Sequence, residues 1–102
     1  MKVGRVIGTV TLSHADSGLR GGRLVLVSPQ GAEELSGVNP SGYSTGSTLV
    51  AYDNFGAGSG DLILYVEGAE AMQPFDYRTP LDAICVALID TLRYEPPPLA
   101  VA

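Results

Sequence analysis

The stretch TLVAYDNFGAGSGDLILYV, residues 48–66, decides the fold prediction for this chain. Two short apolar runs, residues 48–52 and 62–66, are rich in Val, Leu, Ile and Tyr, which is typical of β-strands. The residues between them, from Asp53 to Gly60, are polar and dense in glycine, so we interpret them as a turn. Strand, turn and strand together predict a hairpin-like unit.

Working outward, residues 2–13 alternate: Val6, Gly8, Val10 and Leu12 share one face, which predicts a half-buried strand. Residues 24–27 are apolar on both faces, which suits a strand buried on both sides, and Pro29 stops it. Residues 29–47 are rich in Gly, Ser and Pro without periodicity, and we interpret them as a long loop.

The C-terminal third is predicted to hold one helix and one strand. A helical turn is expected near residues 69–72, and Thr79 with Pro80 forms a helix start. We therefore predict a short helix over residues 80–85 and a final strand over 86–94. Five strands and one short helix in 102 residues indicate a mainly β fold, a small five-stranded OB-like barrel spanning residues 1–94. Residues 95–102 form a Pro-rich tail.

Composition limits what the chain can do. Only 17% of its residues are charged, below the usual ~25%, so we expect other subunits to cover part of its surface. A net charge of −5 disfavours nucleic acid, because affinity for nucleic acid depends on neutralising phosphates. We expect no spanning helix and no signal peptide. The single cysteine, Cys85, fits a reducing cytoplasm.

Signals of enzymatic activity are few. The one histidine, His14, stands beside Asp16 in a polar segment, and neither Ser13 nor Ser17 lies in a nucleophile-elbow pattern. Cys85 lies in an apolar run and is predicted to be a buried thiol with a raised pKa. We therefore predict no catalytic residue, no cofactor site and, with so few scattered ligands, no metal site.

The glycine-rich segment 56–60 invites comparison with a phosphate-binding loop. Such a loop needs a helix N-terminus directly behind it, whereas an apolar strand follows here and no Lys-Ser/Thr pair is present. The glycines are better explained by a tight turn with positive φ or by close approach between backbones.

Three segments together resemble one family: residues 1–10, followed by a Leu-Arg-Gly at 19–21; the 52–61 stretch; and residues 80–92, Pro-Leu-Asp-Ala through Ile-Asp-Thr-Leu. The family is that of the bacterial microcompartment vertex proteins, the EutN/CcmL family. The resemblance implies an OB-like barrel that assembles into a pentamer. It also implies that the pentamer caps the vertices of a shell otherwise tiled by hexameric subunits, around enzymes in the bacterial cytoplasm. One departure is that residues 67–72 lack the Arg usual in the family.

The resemblance also assigns residues. The turn is expected to approach the five-fold axis and line a narrow pore, where converging copies require small residues. The residues of this expected axis loop are Asn54, Phe55, Gly56, Ala57, Gly58, Ser59 and Gly60. Candidate subunit contacts are Asp53, Asp61, Tyr94, Pro96, Pro97 and Pro98. The alternative is a free-standing OB-like oligomer that binds a small ligand or a protein; an enzyme ranks third.

Overall fold

A computed structural model describes residues 1–15, 17–19, 22–36, 48–72, 74 and 81–95. Within them lie five strands, one short helix and two 3-10 turns. The strands are β1 (Lys2–Val10), β2 (Arg23–Pro29), β3 (Leu49–Asp53), β4 (Leu62–Glu67) and β5 (Ala83–Leu88). The helix is α1 (Ala32–Leu35), and the 3-10 turns span Ser17–Leu19 and Gly68–Met72.

The five strands close into a barrel in the order β1-β2-β3-β5-β4. β1 pairs antiparallel with both β2 and β4, so it lies between these two strands in the sheet. The barrel closes on the other side where β3 pairs parallel with β5 through a single register pair, Tyr52 with Ile84. The predicted fold class, a small five-stranded OB-like barrel, is therefore confirmed.

The predicted hairpin-like unit is wrong. β3 and β4 follow one another in sequence but are not neighbours in the sheet, because β5 lies between them and pairs with both. The connection over residues 54–61 therefore crosses an end of the barrel instead of reversing the chain within one ladder. Alternation in the two strands could not reveal this, since a hairpin and a crossover demand the same pattern of each strand.

The barrel interior is filled by one side of each strand. Its buried cluster is Val6, Val25, Val27, Ala51, Ala57, Ile63, Tyr65, Ala83 and Cys85. Gly4 also lies on this face, and a Cβ atom there would overlap Cγ1 of Val27 and lie 2.8 Å from Cε1 of Tyr65. The register of β1 against β2 shifts between Val6 and Gly8, so a bulge bends β1.

A second, smaller apolar cluster lies on the opposite face of the strands. Its buried members are Tyr52, Ala71 and Ile84, against which Leu24, Val66, Leu81 and Val86 pack. Because side chains alternate along a strand, Tyr52 and Ile84 point away from the interior residues Ala51 and Cys85 that adjoin them. The 3-10 turn Gly68–Met72, close to the helical turn predicted at 69–72, contributes Ala71 to this outer cluster.

Two element predictions in the C-terminal third are wrong. Residues 83–85, predicted as helix, form the start of β5, and this strand ends at Leu88 instead of continuing to residue 94. The apolar run fits both periods, and pairing with β4 from Glu67 to Ile63 favours the strand. Thr79 and Pro80, the predicted helix start, lie outside the described residues.

The short helix lies elsewhere, within the segment predicted to be a loop. α1 begins after Gly31, whose backbone N–H donates to Oε1 of Glu34 at 2.7 Å, so the helix has an acidic cap at its first turn. Residues 37–47, the rest of the predicted loop, lie outside the described residues. β1 ends at Val10, before the predicted end at residue 13. Among the described residues, no helix is both long and apolar enough to cross a membrane.

Candidate functional site: the glycine-rich loop

The segment 54–61 joins β3 to β4 across one end of the barrel. Ala57 at its centre is completely buried and packs with the interior cluster, whereas the side chain of Phe55 is 55% exposed. Gly56 and Gly60 have φ angles of 84° and 93°, a region that other residues rarely adopt. The prediction that the glycines serve a tight turn with positive φ is confirmed at these two positions.

Asp53 fixes the first half of the loop. It is the last residue of β3, and its side chain has no exposed surface. Its Oδ1 accepts a hydrogen bond from the backbone N–H of Phe55 at 3.0 Å. Its Oδ2 accepts from the N–H groups of Gly56 at 3.1 Å and Ala57 at 2.8 Å. One carboxylate thus satisfies three successive loop donors.

Arg23 completes this half. It begins β2, where it stands opposite Asp53 in the register with β3. Its Nη1 lies 3.7 Å from Oδ2 of Asp53, and its Nη2 donates to the carbonyl oxygen of Ala57 at 3.0 Å. Ala57 is therefore held through both its N–H and its carbonyl, by two side chains from paired strands.

The second half of the loop is held by a different pair. Oδ2 of Asp61 accepts from the N–H of Gly58 at 2.8 Å, and Nη1 of Arg5 donates to the carbonyl oxygen of Gly60 at 2.9 Å. Backbone bonds then join the loop to β1: Gly60 N–H to the oxygen of Val6 at 2.7 Å, and Val6 N–H to the oxygen of Asp61 at 2.9 Å. We call Arg5, Arg23, Asp53 and Asp61 the charged frame of the loop.

Only Asp53 and Asp61 of this frame are predicted from the sequence, as candidate subunit contacts. Both carboxylates bond within the chain, and that of Asp53 has no exposed surface to offer a neighbour. Two acids flanking a run of glycines were a usable signal for caps on the loop amides. The roles of Arg5 and Arg23 had no local signal, because the carbonyls they contact lie 55 and 34 residues away.

The other candidate subunit contacts are only partly described. Tyr94 is half-buried and lies in the segment after β5, which forms no strand. Pro96, Pro97 and Pro98 lie outside the described residues. Phe55 is the large apolar side chain that the loop exposes to solvent.

The residues considered for chemistry lie apart from the loop surface. His14 is exposed, with its Nδ1 3.3 Å from Oγ of Ser13. Cys85 is buried, and burial together with the nearby Asp53 carboxylate raises the pKa of its thiol to about 11, as its apolar surroundings predicted. Within the described residues, no three His, Cys, Asp or Glu side chains group together as metal ligands.

The fold and the loop place this chain in a class of proteins, the closed, five-stranded OB-like barrels with a fixed loop of small residues over one end. The sequence matches the family described as "Ethanolamine utilisation protein EutN/carboxysome" over residues 1–90. The chain belongs to this EutN/CcmL family.

Named relatives agree with this assignment. The "Bacterial microcompartment shell vertex protein EutN" of Escherichia coli (strain K12) is 32% identical over 91 residues, which is 88% of this chain and 87% of the relative. The "GrpN pentameric microcompartment shell protein from Rhodospirillum rubrum" superimposes with a TM-score of 0.72 at 31% identity, over 92% of this chain and 100% of the other. The CcmL structure from Gloeobacter violaceus has a TM-score of 0.75 at 28% identity, over 93% and 91%.

Proposed function

We propose that this protein is a structural vertex subunit of a bacterial microcompartment shell, acting as a homopentamer. The observation that carries the proposal is the family match over residues 1–90 in a chain that folds as the same closed barrel. Relatives of nearly equal length are named as shell vertex proteins, and one solved relative is described as pentameric.

A physical argument supports a ring of five. Hexagonal units tile a flat layer, so a closed shell needs five-fold positions where the layer curves. A cyclic ring uses a head-to-tail interface, in which two different patches of each copy meet and the rotation closes. Low charge density, 17% of residues, suits a chain whose surface is partly covered by such contacts.

In this ring the loop over residues 54–60 lines the five-fold axis. Support comes from its composition and its fixed backbone: small residues tolerate close packing of five copies, and the charged frame gives each copy the same loop conformation. Among the described residues, a Cβ atom at Gly58 would have only Oδ2 of Asp61 within 4 Å, at 3.8 Å, so this part of the chain leaves the position open.

The proposal includes no catalytic role and no cofactor. It assigns hexameric shell proteins as partners, the bacterial cytoplasm as the location, and neither nucleic acid nor membrane as a target. Residues 1–94 form the barrel domain in this scheme, and the tail from residue 95, with Tyr94 beside it, reaches a neighbouring subunit. The names of the relatives as shell proteins and the net charge of −5 support these assignments.

Native mass spectrometry tests the ring directly. At micromolar protomer concentration, we expect a species of five times 10.6 kDa. A monomer under these conditions would overturn the proposal.

A charge at the axis tests the loop assignment. Gly58→Arg should prevent the pentamer from forming and leave the far-UV circular dichroism spectrum unchanged, because five converging guanidinium groups repel one another. Ser13→Arg adds the same charge in an exposed segment and should leave the pentamer intact. An intact pentamer carrying Gly58→Arg would show that the loop lies away from the axis.

One observation favours the alternative of a ligand-binding OB-like oligomer. A cleft of about 470 Å³ opens between the end of β1 and the start of β2, lined by residues that include Thr9, Leu19 and Leu24. Co-expression with hexameric shell proteins encoded by neighbouring genes distinguishes the two functions. We expect closed particles with this protein and unclosed sheets without it; a pentamer that leaves the sheets unclosed would favour the alternative.

A further inference from the structure

We propose that Arg23 and Asp53 are positioning residues for ring closure. They hold the loop in the one conformation that lets five copies meet at the axis. Assembly therefore depends on these two residues even where the stability of the barrel does not. This inference rests on the proposed function, since it explains how the same loop is made ready for the axis.

Asp53 has no exposed surface within the single chain, so its carboxylate cannot serve as a direct contact to another subunit. Its partners include the backbone N–H groups of Phe55, Gly56 and Ala57 and the guanidinium of Arg23, and the Cys85 thiol lies beside it. The Arg23 side chain is 47% exposed and its Nη1 lies 3.7 Å from Oδ2 of Asp53, so this ion pair adds little to the stability of the barrel. The contacts of this pair are instead directed at the path of the loop.

Arg23 and Asp53 also transmit the position of the sheet to the loop. They are register partners in β2 and β3, so the hydrogen bonds between these strands set their relative position. Both then act on Ala57, one through its N–H and the other through its carbonyl. The loop carries glycines at 56, 58 and 60, which permit many backbone conformations, and this double contact selects one.

Ring closure makes this selection important. In a cyclic assembly the same interface is repeated in every copy. A change in the loop conformation therefore displaces all five loops at once, at the axis where they converge. Arg5 is half-buried and Asp61 is exposed, and both hold the other half of the loop, so their variants could change a contact with a neighbour as well as the loop. Asp53, whose side chain has no exposed surface, separates positioning from direct contact more cleanly than Arg23, whose side chain is 47% exposed.

The test compares Arg23→Gln and Arg23→Lys with Arg93→Gln. Arg93 is exposed and pairs with Glu95 at 2.9 Å, so its variant removes a charge of the same sign away from the loop. Native mass spectrometry over a dilution series gives the protomer concentration at half assembly. Hydrogen exchange in the same samples compares the 54–60 segment with β1 and β4.

We expect Arg23→Gln to raise the half-assembly concentration at least tenfold and to speed exchange in the loop while β1 and β4 keep their protection. Arg23→Lys should fall between wild type and Arg23→Gln, since its single ammonium retains charge but cannot contact both Asp53 and Ala57 with the geometry of a guanidinium. Arg93→Gln should match wild type. Asp53→Asn, which cannot present two acceptor oxygens to the three amides, should reproduce Arg23→Gln.

Three results would overturn the inference. Wild-type assembly by Arg23→Gln despite faster exchange in its loop would show that the ring does not depend on loop position. Faster exchange in all strands together, with assembly lost in proportion, would assign Arg23 a merely structural role. If wild type itself forms no pentamer, the proposed function fails, whereas unchanged loop exchange in Arg23→Gln would refute the positioning role alone.

Discussion

Glycine has two different tasks in this molecule, and a comparison of the barrel with the loop separates them. In β1, Gly4 is needed for space, because a side chain would overlap Val27 inside the barrel. In the loop, Gly56 and Gly60 adopt positive φ angles, and no atom of the residues that the structure describes lies within 4 Å of a Cβ position at either. The first task concerns packing and the second concerns backbone conformation.

The difference shows that the loop is not merely a flexible connection. Its glycines allow a path that the charged frame then fixes, whereas the glycine of β1 allows two strands and a tyrosine ring to pack closely. Substitutions with alanine should therefore have different costs in the two regions, and those costs can be ranked.

The largest effect is expected for Gly4→Ala. The added methyl group overlaps Cγ1 of Val27 and lies 2.8 Å from the ring of Tyr65, both completely buried or nearly so. Overpacking of this kind costs about 3 kcal/mol. Urea unfolding at one fixed protomer concentration measures the loss, since assembly contributes to apparent stability.

Two further variants test whether lack of space beside Val27 causes the loss of stability in Gly4→Ala. Gly8→Ala lies in the same strand, where the nearest atom to an added Cβ is Cδ1 of Leu26 at 3.4 Å, so its cost should be small. Val27→Ala removes the overlapping methyl groups, so Gly4→Ala combined with Val27→Ala should lose less stability than the two single losses added together. Simple additivity would show that space beside Val27 is not what requires glycine.

A smaller effect is expected for Gly56→Ala. Space is available, so the cost is that of placing a Cβ at φ 84°, roughly 1 kcal/mol. Gly58→Ala is the matched control, because Gly58 is outside the positive-φ glycines and also has room. Equal urea midpoints for the two variants would contradict the conformational explanation.

A separate effect, which appears only at alkaline pH, arises in the barrel interior that makes Gly4 necessary. Burial raises the pKa of the Cys85 thiol from 9.0 to about 11, so the folded state keeps its proton where the unfolded state loses it. Stability from this group is fully present below pH 9 and is lost as the pH rises from 9 to 11. Urea unfolding at a series of pH values should therefore show that the free energy of unfolding of wild type approaches that of Cys85→Ala as the pH rises from 9 to 11.

Tyr65, whose pKa is also raised by burial, titrates in both proteins, so the comparison cancels its contribution. Parallel curves for the two proteins would indicate that the thiol has the same pKa in the folded and unfolded states.

The strands are predicted well where an apolar run is bounded by a breaking residue: the run 24–27, expected to stop at Pro29, lies within β2, which extends from Arg23 to Pro29. The prediction of secondary structure is wrong where it depends on pairing with a strand that is distant in sequence. Residues 83–85 fit a helix or a strand, and only pairing with β4 decides between them. The charged frame shows the same limit, because Asp53 and Asp61 adjoin the loop in sequence, whereas Arg5 and Arg23 reach it only once the barrel has closed.

The parallel pairing of β3 with β5 has a consequence for how the barrel comes together and comes apart. A single register pair supplies few hydrogen bonds, so this junction is the weakest ladder in the sheet. Tyr52 and Ile84, the two paired residues, are also the centre of the outer apolar cluster. Buried side chains on the outer face of the barrel thus compensate for the few backbone hydrogen bonds between β3 and β5. The amides beside this junction should be the first in the sheet to exchange with deuterium.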